Sequence, residues 1–535
     1  MKKKNKVLFW LGLFVAISSI ILIRPLDNLD EIWNFNMARG IANGLVPYRD
    51  INMVITPLSS FVSAAFLKIF GSEMFVTRVL AIFLAVANLF FVYKILKTLK
   101  INSQIAHLIT LAIAFVIKDY CYMDYNCFLL LLTLVVIWLE LKYKDNYNVA
   151  KCILIGAIGG LSICTKHTMG LLICAVIVLN KIYFIAGKED FKKTAKQIAY
   201  RIIGIAIPLY IFSWYLLITK SSNYFLDYCV YGLSTFSNKV NYFNLMKEYS
   251  IEGVISAIVP MALIIAFVYN IIFRIKKTIG ARFYTLTVYS IAMFALVYPI
   301  ADKNHLIIAS IPTLILSCYS AYRLILHFSN KVSEKAKRYI KEFLGIVAVL
   351  AAIAFGAYYE IINMDDLSRL TKYREFDHFK YIHVVPNVRN PMMDTEAYIQ
   401  SQDKETYILD ASSALYMIPI NRYNKDYDLL LNGNLGSGGE DRIIEEMKSK
   451  DARFLILDDN YQLNWQTPMK IRAYVKDNMK YIENVGFYSV YENVPKDESN
   501  SEENKEENVN NDENSEQTPK EENAEQKNEE SSEEE

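Results

Sequence analysis

The sequence predicts a polytopic α-helical membrane protein with a small α/β domain behind its last membrane helix, and three observations predict it. Apolar windows of about 17 or more residues recur as far as Ile361, in a chain of 535 residues that is 53% hydrophobic. The lysines and arginines of that region crowd into short loops. Beyond Ile361 the apolar runs stop and mixed strand and helix patterns begin. The formal net charge is only +1, and no basic face speaks for a nucleic-acid partner. The lipid bilayer is the first partner.

The first apolar run follows MKKKNK, as a signal peptide would. No small-x-small cleavage pattern follows it, and about 17 apolar residues is long for a signal, so it reads as the first transmembrane helix. Hydropathy places about 11 crossings, at 7–23, 75–95, 104–118, 126–141, 150–165, 169–186, 199–219, 250–273, 283–300, 305–326 and 342–361. Residues 57–70 would span only about 21 Å as a helix, short of the roughly 30 Å hydrocarbon core, so they read as lying on the membrane. That choice puts every basic cluster, at 94–100, 142–144, 181–196, 274–277 and 331–338, on the side of Met1. A crossing at 57–70 would turn the later clusters outward. The expectation is a multi-pass protein of the cytoplasmic membrane, N-terminus inside, with the loop 25–74 and the C-terminal domain outside.

The transmembrane module is bounded at 1–362 and the outer domain at 366–495. In the latter, YILDA (407–411) and RFLILDD (453–459) read as buried strands and FYSVYEN (487–493) as an alternating one, with helical patterns at about 440–450 and 467–479. Residues 496–535 are Glu, Asn, Ser, Lys and Gln with almost no apolar residue, the composition of a disordered acidic tail. Seven scattered cysteines, none after Cys318, give neither a disulfide framework nor zinc spacing.

The loop 25–74 carries the most costly pattern, the adjacent acids Asp30 and Glu31 beside the membrane surface, which need partners, a cation or a chemical task. Asp30 is a plausible N-cap for a helix reaching about Asn43, with Trp33, Met37 and Ile41 on one face and Gly44 as its stop. A second helix starts at Thr56 as cap, with Pro57 in its first turn, and stops at Gly71. The same topology brings four further polar segments to the outer face: 118–126 (KDYCYMDYN), 165–170 (TKHTMG), 220–250 and 298–305 (YPIADKNH). Any one turn is polar in most proteins; their convergence suggests a site at the outer leaflet. The turn NGNLGSGGED (432–441) has glycines suited to a phosphate loop but lacks Lys-Ser/Thr and sets Glu440 and Asp441 where an anion would bind, so it reads as an ordinary loop.

An early Asp-Glu pair followed by ARGIANGLVPYRD and TPLSSFVSAAFLKIFGSEMFVTRVLA, then TKHTMGLL and YPIADKNHLIIASIPTLIL, resembles bacterial membrane glycosyltransferases of the GT-C superfamily, the group that includes protein mannosyltransferases and the aminoarabinose transferases of lipid A. The resemblance covers roughly residues 7–330. It implies transfer of a sugar from a polyprenyl-phosphate donor to an acceptor hydroxyl of a cell-envelope glycan, lipid or protein, by direct inverting displacement. It makes Asp30 the base that takes the acceptor proton, and Glu31 the group that orients it or helps bind a cation. No cofactor is implied beyond room for a divalent cation. The leaving phosphate needs cationic partners, for which Lys166 and His167 come first and Arg49, Lys303 and His305 behind them; Asp124, Tyr125, Asn126 and Asp302 would shape the sugar and acceptor pocket. Where the family pattern often has Gln, this chain has His167, and Leu58 replaces a second Pro. A surface-polysaccharide polymerase or ligase is the nearest alternative, and a lipid-linked sugar transporter the alternative of another class. A transporter should show internal repeats and helices broken by Gly or Pro at mid-membrane, which the pattern lacks.

Overall fold

The computed structural model describes residues 3–144, 147–185, 191–235, 239–275, 280–328, 333–431, 434–461 and 467–493. The expected tail at 496–535, Lys188, Lys276, Lys277 and Lys331 of the basic loops, and Asn432 and Gly433 of the glycine turn lie outside them.

Helices fall on all eleven expected spans. They are α1 (Lys3–Ile23), α4 (Met74–Thr98), α5 (Ser103–Ile117), α6 (Tyr125–Tyr143), α7 (Val149–Thr165), α8 (His167–Ile185), α9 (Phe191–Ile218), α12 (Ile251–Ile275), α13 (Ala281–Phe294), α14 (Lys303–Phe328) and α15 (Glu334–Ile362), with α2 (Leu29–Ala42), α3 (Leu58–Phe70), α10 (Ser222–Cys229) and α11 (Tyr242–Met246) in the loops between them. Among the described residues, seven helices are long and apolar enough to cross a membrane by length and composition. The shorter apolar helices α5, α7, α8 and α13 pack among them around one apolar core. Close approach needs small residues where no hydrophobic drive holds helices together: at Gly156 and Gly204 the backbones of α7 and α9 touch, so a Cβ on either would strike the other helix.

Several local expectations are corrected. The N-cap of α2 is Asn28, whose side chain accepts from the Glu31 N–H at 2.9 Å, and Asp30 is the second helical residue. The cap of α3 is Pro57; Thr56 instead donates its hydroxyl to the Ile163 carbonyl at 2.6 Å and ties the loop to the end of α7. Prolines do lie inside membrane helices, at Pro208, Pro260 and Pro312, yet α9, α12 and α14 run on through them.

Behind α15 come α16 (Met364–Arg369), α17 (Pro386–Ser401), α18 (Ser413–Met417), α19 (Gly439–Lys448) and α20 (Met469–Asn478), and a four-stranded sheet in the order β1-β2-β4-β3. Here β1 (Glu405–Ile408) pairs parallel with β2 (Ala452–Leu457), while β4 (Tyr488–Asn493) runs antiparallel to β2 and to β3 (Lys480–Val485). The three expected strands and two expected helices are present. Strand β3 and helix α17 were not expected: β3 is an edge strand whose KYIENV shows no apolar alternation, and α17 carries Pro391 in its interior.

The domain does not stand apart from the first loop. Ile32, Phe35 and Ala38 of α2, Leu67 of α3 and Met74 share one apolar core with Phe379, Ile382, Met392, Tyr416 and Tyr488.

Candidate active site

Helix α2 lies between the C-terminal domain and a cavity of about 500 Å³, and Asp30 stands on the cavity wall with Asn28, Tyr122, Asn244, Asp302, Lys303 and Asn304 among the lining residues. Three polar turns reach the same place. Asp124 caps α6, its Oδ1 accepting from the Cys127 N–H at 2.7 Å, and its Oδ2 has no hydrogen-bond partner among the described residues. Lys166 ends α7 and donates from Nζ to Asn126 Oδ1 at 3.0 Å, with Nζ 4.9 Å from the centre of the Tyr125 ring. Asp302 precedes α14 and accepts twice from His305, from its backbone N–H at 2.7 Å and its ring Nδ1 at 2.8 Å.

These groups act on one another. Burial pushes the Asp30 carboxyl above its ordinary value, Asp302 adds to that, and His305 and Lys166 pull it back. Burial likewise lifts Asp124 to about 6, with Asp30 contributing. Lys166 is lowered to about 8 by burial against the opposing pull of Asp30, Asp124 and Asp302. Desolvation pushes the half-buried Asp302 up as well, but the His305 hydrogen bond and charge hold it below its ordinary value. At neutral pH the result is a charged lysine among carboxyls of which two bind protons unusually well. A carboxylate of raised pKa is a better general base than a surface aspartate.

The other expected residues sit elsewhere. Glu31 is buried and engaged by Arg78 of α4 through Nε at 3.1 Å and Nη2 at 3.0 Å, so its carboxylate is spent on an ion pair that fixes α2 to the bundle. His167 is half-buried beside the Cys229 backbone and is not among the groups acting most strongly on Asp30. Arg49 pairs with Asp50 at 2.8 Å and lines a separate cavity of about 490 Å³. Lys303 lines the Asp30 cavity but is exposed and paired with Glu248 at 2.8 Å. Among the described residues no group of three or more His, Cys, Asp and Glu side chains is placed to hold a metal ion.

Two residues escaped the sequence reading. Arg78 lies one turn into an apolar span, where an arginine demands an acidic partner, and that cost was the signal for the Glu31 pair. Arg24 donates to the Cys121 carbonyl at 3.0 Å and stacks 4.1 Å from the Tyr122 ring centre, holding the 118–126 turn against the end of α1.

Residues 55–217 match the family described as dolichyl-phosphate-mannose-protein mannosyltransferase. The fold is similar to crystal structures of ArnT from Cupriavidus metallidurans, at 12% identity over 92% of this chain and 99% of that one, with a TM-score of 0.54 for the apo state and 0.55 for the state bound to undecaprenyl phosphate. No curated protein matches the chain. The family match spans under a third of the chain, and the likeness to ArnT is one of fold: a multi-helix membrane glycosyltransferase fold carrying a small C-terminal sheet domain.

Proposed function

We propose that the protein transfers a sugar from a polyprenyl-phosphate-linked donor to an acceptor hydroxyl at the outer face of the cytoplasmic membrane. The observation that carries this reading is the pair Asp30 and Asp302 on one cavity wall at the ends of the apolar helices, with Lys166 and His305 acting on both carboxyls. The undecaprenyl phosphate bound to ArnT, on the same fold, supports the donor class.

In this reaction the acceptor oxygen attacks the anomeric carbon as Asp30 takes its proton, and the bond from that carbon to the phosphate oxygen breaks. Polyprenyl phosphate leaves with the bonding electrons, its charge met by the Lys166 ammonium. A single displacement inverts the anomeric centre. Glu31 serves the reaction only through Arg78, by fixing the helix that carries Asp30.

Replacing Asp30 by Asn keeps shape and removes the basic site, so turnover should fall about 10² to 10⁴-fold while a donor analogue still binds. Replacing Lys166 by Ala should weaken donor binding as well. Both rate and donor affinity are measured in nanodiscs; an Asp30→Asn protein with near-normal turnover removes Asp30 from the role of base. Orientation is tested separately with Glu483→Cys, exposed on the C-terminal domain. An impermeant thiol reagent should label it in intact cells, and labelling only after lysis would reverse the topology.

A further inference from the structure

We propose that the C-terminal domain is a positioning element for Asp30, and that Arg39 is the residue through which it holds α2 over the cavity. The inference rests on the reading of Asp30 as base. Arg39 is nine residues from Asp30, about 14 Å along the helix, so it touches no reacting atom.

Arg39 is fully buried. A guanidinium is kept in such a place only where its fork of donors meets acceptors. Its Nη1 donates to Asn421 Oδ1 at 2.9 Å and its Nη2 to the Arg422 carbonyl at 2.8 Å, with Asn36 Oδ1 of its own helix at 3.2 Å. The Tyr423 ring lies 4.2 Å from its Cζ, and the buried acid Asp428 supplies a facing charge. The anchoring continues along the helix: Trp33 Nε1 donates to the Ala411 carbonyl at 2.6 Å, and Asn43 Nδ2 to the Tyr423 hydroxyl at 2.9 Å. At the other end the Glu31–Arg78 pair ties α2 to α4. Helix α2 is therefore a rod fixed at one end to the membrane bundle and at the other to the domain, with Asp30 beside the first anchor.

A base works only when held within a fraction of an ångström of its proton. With the domain anchor loosened, Asp30 swings relative to Lys166, His305, Asp302, Asn304 and Asp124 and gains water. Two consequences follow together: slower transfer, and a lower apparent pKa for the base because burial, the largest influence raising it, is relaxed. A purely structural contact would lower the amount of folded protein and leave the pH profile of the remainder unchanged.

The test is Asn421→Ala with Tyr423→Leu in the full-length protein in nanodiscs, with Arg39→Lys, which keeps the charge and loses the fork, as the matching change on α2. The expected result is a fall in kcat of about tenfold, donor-analogue affinity within about twofold, and an acid limb of the pH–rate profile moved to lower pH. Glu483→Ala, an exposed residue of β3 with no hydrogen bond to α2 among the described residues, should behave as wild type. If the double variant does not fold, Tyr423→Phe, which keeps the ring and loses only the contact with Asn43, gives the same readout at smaller amplitude. Wild-type kcat, or a reduced rate with an unmoved profile, in a folded variant overturns the proposal. Asp30→Asn separates the two layers: if that variant is active, the reading of Asp30 falls; if it is inactive while the interface variants are normal, only the positioning role falls.

Discussion

The two ends of α6 hold buried acids in opposite circumstances. At its start Asp124 shares a cavity-side cluster with Asp30, Asp302 and Lys166, and one of its oxygens has no hydrogen-bond partner among the described residues. Sixteen residues on, about 24 Å along the helix, Glu140 is gripped by the Arg201 fork, with Nη2 to Oε2 at 2.9 Å, and by the Tyr147 hydroxyl. Arg201 also donates to the Ile177 carbonyl at 2.7 Å, and the Lys181 ammonium lies 3.5 Å from the centre of the Tyr147 ring. The Glu140 end is a knot that joins α6, α8 and α9. The Asp124 end holds carboxyls that repel one another beside open space. Burial alone therefore does not mark a site; buried acids outnumbering their cations beside a cavity do.

The sharpest way to break that contrast is to neutralise one acid at each end. Asp30→Asn is expected to lose about 10² to 10⁴ in turnover with thermal stability close to wild type. Glu140→Ala leaves Arg201 without its partner and should cost about 3–5 kcal/mol of stability, while the fraction that stays folded turns over normally. Unfolding in nanodiscs and rate per folded molecule measure both. A Glu140→Ala protein that is stable but inactive would put chemistry at the wrong end.

Next in size is the pH response of Lys166. Its ammonium, lowered to about 8, loses its proton as pH rises through that value, so donor affinity should fall above about pH 8. Lys166→Arg stays charged and should remove this alkaline limb. An unchanged limb in that variant would mean that another group titrates there and that Lys166 does not meet the phosphate.

The acids differ in a further way that a milder change can sharpen. Asp124→Asn removes a carboxyl whose charge Asp30 opposes, so the Asp30 pKa should drop and the acid limb of the rate profile should move to lower pH. The smallest effect expected is that of removing residues 496–535, whose composition offers nothing for a site: turnover should stay within about twofold, roughly 0.4 kcal/mol of barrier. A 100-fold loss would mean that the tail recruits the acceptor.

Much of this was legible in the chain. The spans were written in long apolar runs, and the turns holding Asp124, Lys166 and Asp302 could be assigned to the face of Asp30 because α6 leaves that face and α7 returns to it. What was not legible were choices among partners. Glu31 and Asp30 are adjacent and alike, and only the position of Arg78 on α4 decides that one is spent on an ion pair and the other faces the cavity. Thr56 has the chemistry of a cap, but the Ile163 carbonyl outbid the helix for its hydroxyl. Arg49 lies in the right loop, yet Asp50 beside it in sequence claims its fork. The seating of α2 on the C-terminal domain joins residues some 380 positions apart, a complementarity of shape and hydrogen bonding that no periodicity records.

That seating has a consequence for the newborn chain. At a synthesis rate of about 5–20 residues per second, α2 is made roughly 20 to 75 seconds before the residues that cover Ile32, Phe35 and Ala38. During that interval its apolar side must rest on the lipid surface or on a chaperone, and Arg39 has only Asn36 of its eventual acceptors at hand. A nascent chain halted after α15 would already contain every residue of the candidate site and should still be inert. Ribosome-arrested chains of graded length, assayed for transfer, should switch on only once residues up to about 493 have emerged.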